Sequence, residues 1–318
     1  MESFFTVVFG GMLMLILGIG MFKVGGYIWS VFGAKKVAQN ITASLSDVSA
    51  KTLSSLGLGG DDDRYSAAEE EDVINAASGS LPQGQATKVG AKAYVVKDIT
   101  TGETIVQDNS NKLLPIASLT KLVTAIIARK QIPESARITI SQKVMNTYGN
   151  TADFTAGETF TAGDLLYPLL LVSSNDAAEA YAEYYGRSSF IREMNDFVQS
   201  IGAYRTSFAD PSGLDPENVS TANDLALIID WIRKNDPTIL SITELKSKTV
   251  RSHTWVNPTH FLSWSYYVGG KNGYLPEADR TTAALFKIGS AGDTYAIIAL
   301  GSESRDNDVI QLLKKIPK

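Results

Sequence analysis

Ser118 and Lys121 stand three residues apart at the start of a predicted helix, in the sequence Ser-Leu-Thr-Lys. Residues at this spacing share one face of a helix, where a hydroxyl and an amine are close enough to exchange a proton. A lysine can act as the base for a serine nucleophile only if part of its population is neutral. That requires a pKa about 3 units below the usual ~10.4, a shift that burial and a neighbouring cation produce. Lys271 is the candidate for that cation.

Two further polar motifs follow along the chain, a Ser-Ser-Asn sequence at 173–175 and a Lys-Asn-Gly sequence at 271–273. Each has a purely structural interpretation, because Ser and Asn commonly cap helices and Asn-Gly commonly forms hairpin turns. In the functional interpretation, Ser173 relays protons and Asn175 orients a substrate amide. Gly273 would lie on a strand lining a cleft, where the missing side chain lets a substrate backbone approach closely.

The composition excludes several other kinds of chemistry. The 318 residues include no cysteine, which excludes disulfides, thiol catalysis and cysteine-ligated metals. Only His253 and His260 could serve as imidazoles, and neither lies in a recognisable motif. The net charge of −5 gives no basic excess to neutralise phosphates, so we expect no nucleic-acid partner.

The N-terminal segment is a predicted membrane anchor. Residues 4–22 are nineteen uncharged, mostly apolar residues, which as a helix would span roughly 28 Å, about the thickness of a hydrocarbon core. A cleaved signal peptide is the alternative, but the segment before the apolar run carries Glu2 and no Lys or Arg. Lys23, Lys35 and Lys36 follow the run, and by the positive-inside rule they would keep the rest of the chain in the cytoplasm.

The chain divides into the anchor at 1–36, a flexible linker at 37–87 and a catalytic domain at 88–318. The linker is rich in Ser, Gly and acidic residues, a composition typical of solvated chain. Within the domain, β-rich segments come first and last, which predicts an α/β fold whose mostly antiparallel sheet is assembled from both ends. We predict a hairpin at 91–107, helices near 117–130, 162–186 with a break at Ser173, 188–202, 221–234 and 306–316, and strands near 247–256, 267–274, 281–289 and 294–301.

In this order, the three motifs resemble those of the penicillin-binding serine D-alanyl-D-alanine carboxypeptidases, the low-molecular-mass penicillin-binding proteins. The resemblance covers essentially all of 88–318, and its further matching segments are the opening hairpin 93–102, the nucleophile segment 115–124, the second-motif segment 163–178 and the segment 206–226. It implies a β-lactamase/transpeptidase-like fold: about five mostly antiparallel strands flanked by helices, plus a helical lobe. The active site would lie where the lobe meets the sheet.

The resemblance also implies a reaction. Ser118 would attack the carbonyl carbon between two D-alanines with Lys121 as base, release D-alanine, and leave an acyl-enzyme that water hydrolyses. The remaining catalytic residues would be Ser173, Asn175 and Lys271. No metal or organic cofactor is implied.

Substrate binding is where this chain departs from the family. Members usually have Thr in the third motif, whose hydroxyl helps to hold the substrate's terminal carboxylate; Asn272 stands there instead, and its amide can still donate a hydrogen bond. Gly273 and Tyr274 follow, and the Tyr274 backbone N–H would form the oxyanion hole together with the N–H of the nucleophile. An arginine often helps to bind the carboxylate. Arg305 is the candidate for that arginine, and Arg280 is a weaker one.

The implied partners are peptidoglycan stem peptides, with β-lactams as covalent inhibitors. This substrate exists only outside the cytoplasmic membrane, so we expect a membrane-anchored, extracytoplasmic domain, against the positive-inside rule. Two alternatives remain open: an endopeptidase that cuts D-alanyl cross-links with the same residues, and an inactive wall-binding homologue in which Asn272 marks decay. A class A β-lactamase is disfavoured because the chain has no Glu-x-x-Leu-Asn element.

Overall fold

The computed structural model describes residues 88–149, 151–288 and 292–317. The predicted anchor at 1–36 and the predicted linker at 37–87 lie outside the described residues. Within the described ranges, no helix combines the length and the apolar character that a membrane span requires. The structure therefore bears on the predicted catalytic domain.

Eleven strands and eight α-helices form in the described residues. The strands are β1 Ala93–Asp98, β2 Thr104–Asp108, β3 Leu114–Pro115, β4 Arg137–Thr139, β5 Thr159–Thr161, β6 Val219–Ser220, β7 Ser247–Val250, β8 His253–Val256, β9 Tyr267–Leu275, β10 Asp279–Ile288 and β11 Asp293–Ser302. The helices are α1 Thr120–Gln131, α2 Gln142–Met145, α3 Ala162–Leu171, α4 Asn175–Tyr185, α5 Arg187–Ser200, α6 Ala222–Asn235, α7 Thr238–Thr243 and α8 Arg305–Leu313. Two 3-10 helices cover Ala117–Leu119 and His260–Ser263.

A five-stranded antiparallel sheet lies at the centre, in the order β2-β1-β11-β10-β9. This confirms the predicted sheet, because β1 and β2 form a hairpin at the start of the domain while β9, β10 and β11 come from its end. The strand β9 contains the Lys-Asn-Gly motif and lies at the edge of the sheet. One side of its backbone therefore has no strand partner within the sheet.

The two faces of the sheet pack against different cores. Ala283 and Leu285 of β10 belong to a large core that also contains residues of α1, α3 and α6. The alternate residues of the same strand pack in a second core with α8 and with the 3-10 helix His260–Ser263. Lys271 pairs with Ala283, and Asn272 pairs with Thr282. Paired residues share a face, so Lys271 lies on the α1 side and Asn272 on the α8 side.

The helical lobe is organised around α1, whose side chains from Thr120 to Ala128 are all buried. The predicted helical stretch 162–186 is two helices, α3 and α4, and the break falls where the sequence predicted it. Ser173 has a φ of +57° there, and the Ser174 side chain then caps α4. The predicted strand at 247–256 is instead the hairpin β7–β8, which lies outside the five-stranded sheet. Its chain reverses at Arg251, which has a φ of +53°.

Candidate active site

Ser118 is presented by a tightly held turn immediately before α1. Ala117 has a φ of +49°, a conformation rare for a residue with a side chain. Hydrogen bonds hold the turn on both sides: Thr281 Oγ1 donates to the carbonyl of Ile116 at 3.1 Å, and Thr120 Oγ1 donates to that of Ala117 at 2.8 Å. Strained backbone of this kind persists only where the surrounding structure fixes it, and it clusters at active sites.

Lys121 contacts Ser118 as the sequence predicted, with Nζ 3.0 Å from Ser118 Oγ. The same nitrogen lies 2.7 Å from Asn175 Oδ1 and 2.5 Å from the carbonyl oxygen of Ser212. A neutral amine has two N–H groups and one lone pair. Because the amide oxygen and the carbonyl can only accept, they take the two N–H groups. The lone pair is then left facing the hydroxyl of Ser118.

The surroundings of Lys121 favour its neutral form. The side chain is completely buried, and burial lowers the pKa of the amine well below its ordinary value of 10.5. Repulsion from Lys271 lowers this pKa further, as expected of the neighbouring cation. Asp210 and Asp176 act in the opposite direction and raise the pKa, but their effect is smaller.

The second motif supplies an anchor for the lysine and a buried hydroxyl. Asn175 is the first residue of α4, and its Nδ2 donates to the carbonyl of Tyr148 at 2.8 Å. That bond turns the amide oxygen toward Lys121. Ser173 precedes the helix, and its Oγ is buried without a hydrogen-bond partner among the described residues. Its hydroxyl therefore makes no hydrogen bond to Lys121 or Ser118 in this structure.

In the third motif, Lys271 is buried and donates to the carbonyl of Asn272 at 2.8 Å. Burial lowers the pKa of Lys271 to about 7, and repulsion from the charge of Arg305 contributes to the same shift. Protonated and neutral forms of Lys271 are therefore both populated near neutral pH.

Gly273 is required by the packing of β9 against the nucleophile. A Cβ on this residue would lie 2.8 Å from the backbone nitrogen of Ser118 and 2.7 Å from Thr281 Oγ1, closer than real Cβ contacts come. The glycine thus admits the nucleophile's turn, in addition to the predicted approach of a substrate. It also brings the backbone of β9 at Gly273 beside the N–H of Ser118. The Tyr274 side chain is half-exposed.

The side chain of Asn272 is already engaged within the protein. Its Oδ1 accepts a hydrogen bond from Thr282 Oγ1 at 2.7 Å, and its Nδ2 donates one to Thr259 Oγ1 at 3.1 Å. One of the two amide N–H groups is therefore used internally. The residue that replaces the family's threonine is part of a hydrogen-bonded chain that the sequence did not reveal.

The two candidate arginines lie in different surroundings. Arg305 is the first residue of α8, its Nε donates to Asp306 Oδ1 at 3.0 Å, and its charge acts on Lys271. It therefore belongs to the electrostatic environment of the third motif. Arg280, the weaker candidate, donates to the carbonyl of Glu303 at 2.9 Å.

A loop at 209–218 also contributes to the site, a role that was not predicted from the sequence. Asp210 Oδ1 accepts from the backbone nitrogens of Ser212 at 2.5 Å and of Gly213 at 2.6 Å. These bonds fix the loop so that the Ser212 carbonyl contacts Lys121. The segment 206–226 resembles that of the family, but a backbone acceptor has no side-chain signature that could have revealed it.

A serine with a buried lysine base, set between a helical lobe and a five-stranded antiparallel sheet, defines a class of serine acyl-transfer proteins. The comparison with known families agrees. The family model for D-alanyl-D-alanine carboxypeptidases, peptidase family S11, matches residues 80–292. The chain belongs to this family, as the three motifs indicated.

Individual relatives resemble the chain at moderate identity. D-alanyl-D-alanine carboxypeptidase DacF of Bacillus subtilis is 29% identical over 217 residues, which are 63% of this chain and 55% of the relative. The D-alanyl-D-alanine endopeptidase of Escherichia coli is 30% identical over 206 residues, 62% of this chain and 65% of the relative. The structure of penicillin-binding protein D2 from Listeria monocytogenes in the cefotaxime-bound form is 26% identical with a TM-score of 0.65, covering 73% of this chain and 99% of that one. The chain thus spans less than two thirds of the length of either of the first two relatives.

Proposed function

We propose that this chain is a serine D-alanyl-D-alanine carboxypeptidase that trims peptidoglycan stem peptides through an acyl-enzyme on Ser118. The contact geometry of Lys121 carries the proposal. Its nitrogen faces Ser118 Oγ at 3.0 Å while two fixed acceptors take its N–H groups. A lone pair directed at a hydroxyl is what a general base needs, and burial favours the neutral form of the amine by lowering its pKa. Membership of the carboxypeptidase family supports the choice of substrate.

Acylation follows from this arrangement. Lys121 takes the Ser118 proton as Oγ attacks the carbonyl carbon of the D-alanyl-D-alanine bond. The negative charge on the carbonyl oxygen develops against the backbone N–H groups of Ser118 and Tyr274. The proton passes by way of the Ser173 hydroxyl to the leaving nitrogen, the C–N bond breaks, and D-alanine departs. The shortened peptide remains as an ester on Ser118.

Deacylation uses the same base. Lys121 removes a proton from water, the resulting nucleophile attacks the ester, and Ser118 is regenerated with its proton. Asn175 fixes the lysine throughout and has one N–H left to bind the substrate amide. Lys271 and Arg305 supply positive charge for the substrate's terminal carboxylate, and Arg305 lies on the α8 side, with Asn272.

We propose that the domain works outside the cytoplasmic membrane, because peptidoglycan is found only there. The apolar residues 4–22 would hold it to the membrane. The fifty-odd residues at 37–87 would, as a flexible coil, give it a reach on the order of 40 Å toward the wall. Protease added to intact, wall-stripped cells tests this: an extracytoplasmic domain is degraded, and a cytoplasmic one is protected.

An endopeptidase is the second candidate. It is favoured by the E. coli relative, which carries that name at an identity similar to that of the carboxypeptidase from B. subtilis. The chemistry and the catalytic residues would be the same. The two candidates differ in the leaving group, which is free D-alanine for the carboxypeptidase and the side-chain amine of a second stem peptide for the endopeptidase.

Intact-mass spectrometry of the full-length protein after incubation with benzylpenicillin tests the acyl-enzyme. We expect a stable covalent adduct that is absent from the Ser118→Ala variant and strongly reduced in Lys121→Met. Ser200→Ala is the matched control, because this serine ends α5 on the surface of the lobe. No adduct and no peptide cleavage would overturn the proposal and favour an inactive wall-binding protein. Released D-alanine, compared with released cross-linked peptide, then separates carboxypeptidase from endopeptidase.

A further inference from the structure

The hydrogen-bonded chain through Asn272 has a direction. The Thr282 hydroxyl is buried and donates to Asn272 Oδ1 at 2.7 Å, which leaves the amide nitrogen facing the other way. That nitrogen donates to Thr259 Oγ1 at 3.1 Å. Thr259 therefore accepts a hydrogen bond, and its own hydroxyl proton is free to turn outward. Among the residues that the structure describes, this proton has no acceptor.

Thr259 is held firmly in place. Its backbone nitrogen donates to Asn257 Oδ1 at 3.1 Å, and Asn257 Nδ2 in turn donates to the carbonyl of Thr243 at 2.9 Å. The residue immediately precedes the 3-10 helix His260–Ser263, and its side chain is half-buried. A hydroxyl on such a support loses little conformational freedom when it binds a ligand, which is the condition for an effective hydrogen bond.

The charges around residue 272 favour an anion. Lys271 donates to the carbonyl of Asn272 at 2.8 Å, and Arg305 is close enough to Lys271 to lower its pKa. Arg305, together with the protonated form of Lys271, therefore places positive charge around the position at which family members carry a hydroxyl for the terminal carboxylate. A hydroxyl donor to a carboxylate forms one of the stronger hydrogen bonds in proteins.

Resting on the proposed function, we propose that Thr259 donates a hydrogen bond to the substrate's terminal carboxylate, and that Asn272 is the positioning residue that orients it. The hydroxyl that the third motif lacks would thus be supplied by the residue that immediately precedes the 3-10 helix His260–Ser263. Asn272 reaches the substrate through Thr259 and does not contact the carboxylate itself. With Asn in place of the family's Thr at position 272, the hydroxyl donor is then Thr259, and the enzyme can still recognise a free carboxylate.

The test compares two substrates: an acylated Lys-D-Ala-D-Ala tripeptide, and the same tripeptide with a C-terminal carboxamide. The measured quantity, with the full-length protein, is kcat/KM for the free-carboxylate tripeptide divided by kcat/KM for the carboxamide. Thr259→Val should lower this ratio about 10- to 100-fold, the usual effect of losing a hydrogen bond to a charged group. Asn272→Ala should lower it by a similar factor, because Thr259 is no longer oriented. Thr254→Val is the matched control, since the Thr254 hydroxyl bonds to that of Thr249 on the exposed face of the hairpin β7–β8.

Two further variants make the test specific. Asn272→Thr places a hydroxyl in the third motif and should keep the ratio near the wild-type value. Adding Thr259→Val to this variant should then not lower the ratio. Asn272→Asp should lower the ratio, because a carboxylate would accept the proton of Thr259. An unchanged ratio in Thr259→Val, with a lowered ratio in Asn272→Ala, would overturn the inference and assign the contact to the second N–H of Asn272. A wild-type protein that cleaves neither tripeptide would overturn the proposed function itself, a result distinct from any Thr259 effect.

Discussion

Gly213 packs its backbone so closely against the carbonyl group of Ala117 that a Cβ on the glycine would overlap that carbonyl. The glycine also has a φ of +85°, where a side chain is strained whatever the space around it. Two turns, each containing a residue with a positive φ, thus pack against each other next to Ser118. One of them presents the nucleophile, and the other carries the Ser212 carbonyl that holds the lysine base.

Gly213→Ala should therefore impair both folding and chemistry. The φ strain alone costs about 1–2 kcal/mol, and the overlap must in addition displace the turn that carries Ser118. We expect a loss of more than about 4 kcal/mol in the free energy of unfolding, which is exceptional for one substitution. Gly202→Ala is the control, since Gly202 has a φ of +87° with nothing within 4 Å of the added Cβ. Urea unfolding and the rate of penicillin acylation, measured on both variants, separate strain from overlap; equal effects would contradict the stacking argument.

Lys271→Gln should move the pH dependence of acylation. In the proposed mechanism, the neutral form of Lys121 is the active one and is present above its pKa, so the acylation rate should rise with pH through that value. Removing the positive charge of Lys271 removes a repulsion that lowers the Lys121 pKa. The rising limb should therefore shift to higher pH, because the pKa of the base increases. The measurement is the second-order rate constant for benzylpenicillin as a function of pH.

The test is the pH at the midpoint of the rising limb. The maximum rate constant is not used, because it also depends on the contribution of Lys271 to binding. Lys287→Gln is the matched control, because Lys287 is an exposed lysine on the neighbouring strand β10. A limb that stays in place in Lys271→Gln would show that the charge of Lys271 does not affect the pKa of Lys121.

Asp176→Asn should shift the rising limb of the acylation rate to lower pH, opposite to the effect of Lys271→Gln. Asp176 is buried in the first turn of α4, and both of its carboxylate oxygens lack hydrogen-bond partners among the described residues. Burial raises the pKa of Asp176 to about 6, while Lys121 acts to lower it. Above that pH its negative charge raises the pKa of Lys121, and Asp210 acts in the same sense from the loop 209–218. Removing one of these charges should lower the Lys121 pKa and move the limb to lower pH.

The stability of the same variant supplies a second readout. A carboxyl whose pKa is raised on folding binds more protons in the folded state, so the protein loses stability as the pH rises from about 4 to about 6. Asp176→Asn should lack this loss, whereas Asp196→Asn, at an exposed position on α5, should keep it. Equal pH dependence of stability in the wild type, Asp176→Asn and Asp196→Asn would mean that folding does not raise the pKa of Asp176.

The sequence predicted those parts of the molecule that depend on local spacing and alternation. The Ser118–Lys121 contact follows from helical periodicity, and the sheet follows from β-rich segments at both ends of the domain. The acceptor from Ser212 could not be predicted, because it is a backbone carbonyl brought in from 91 residues away by a folded loop. The link from Asn272 to Thr259 was equally invisible, since it depends on which face of β9 the asparagine occupies.

Asp306→Ala should weaken binding of the substrate carboxylate more than it slows the chemistry. The carboxylate of Asp306 is buried; its Oδ1 accepts from Arg305 Nε at 3.0 Å, and its Oδ2 contacts His260 Nδ1 at 2.9 Å. Without it, the guanidinium of Arg305 loses its orientation, and we expect KM for a free-carboxylate peptide to rise about 10-fold with a smaller change in kcat. Asp308→Ala is the matched control. Asp308 is a buried carboxylate on the same helix that binds Ser302 Oγ, so it should lower stability without changing the preference for a carboxylate over a carboxamide. If both variants change stability and KM alike, the effect of Asp306 is on the fold and not on Arg305.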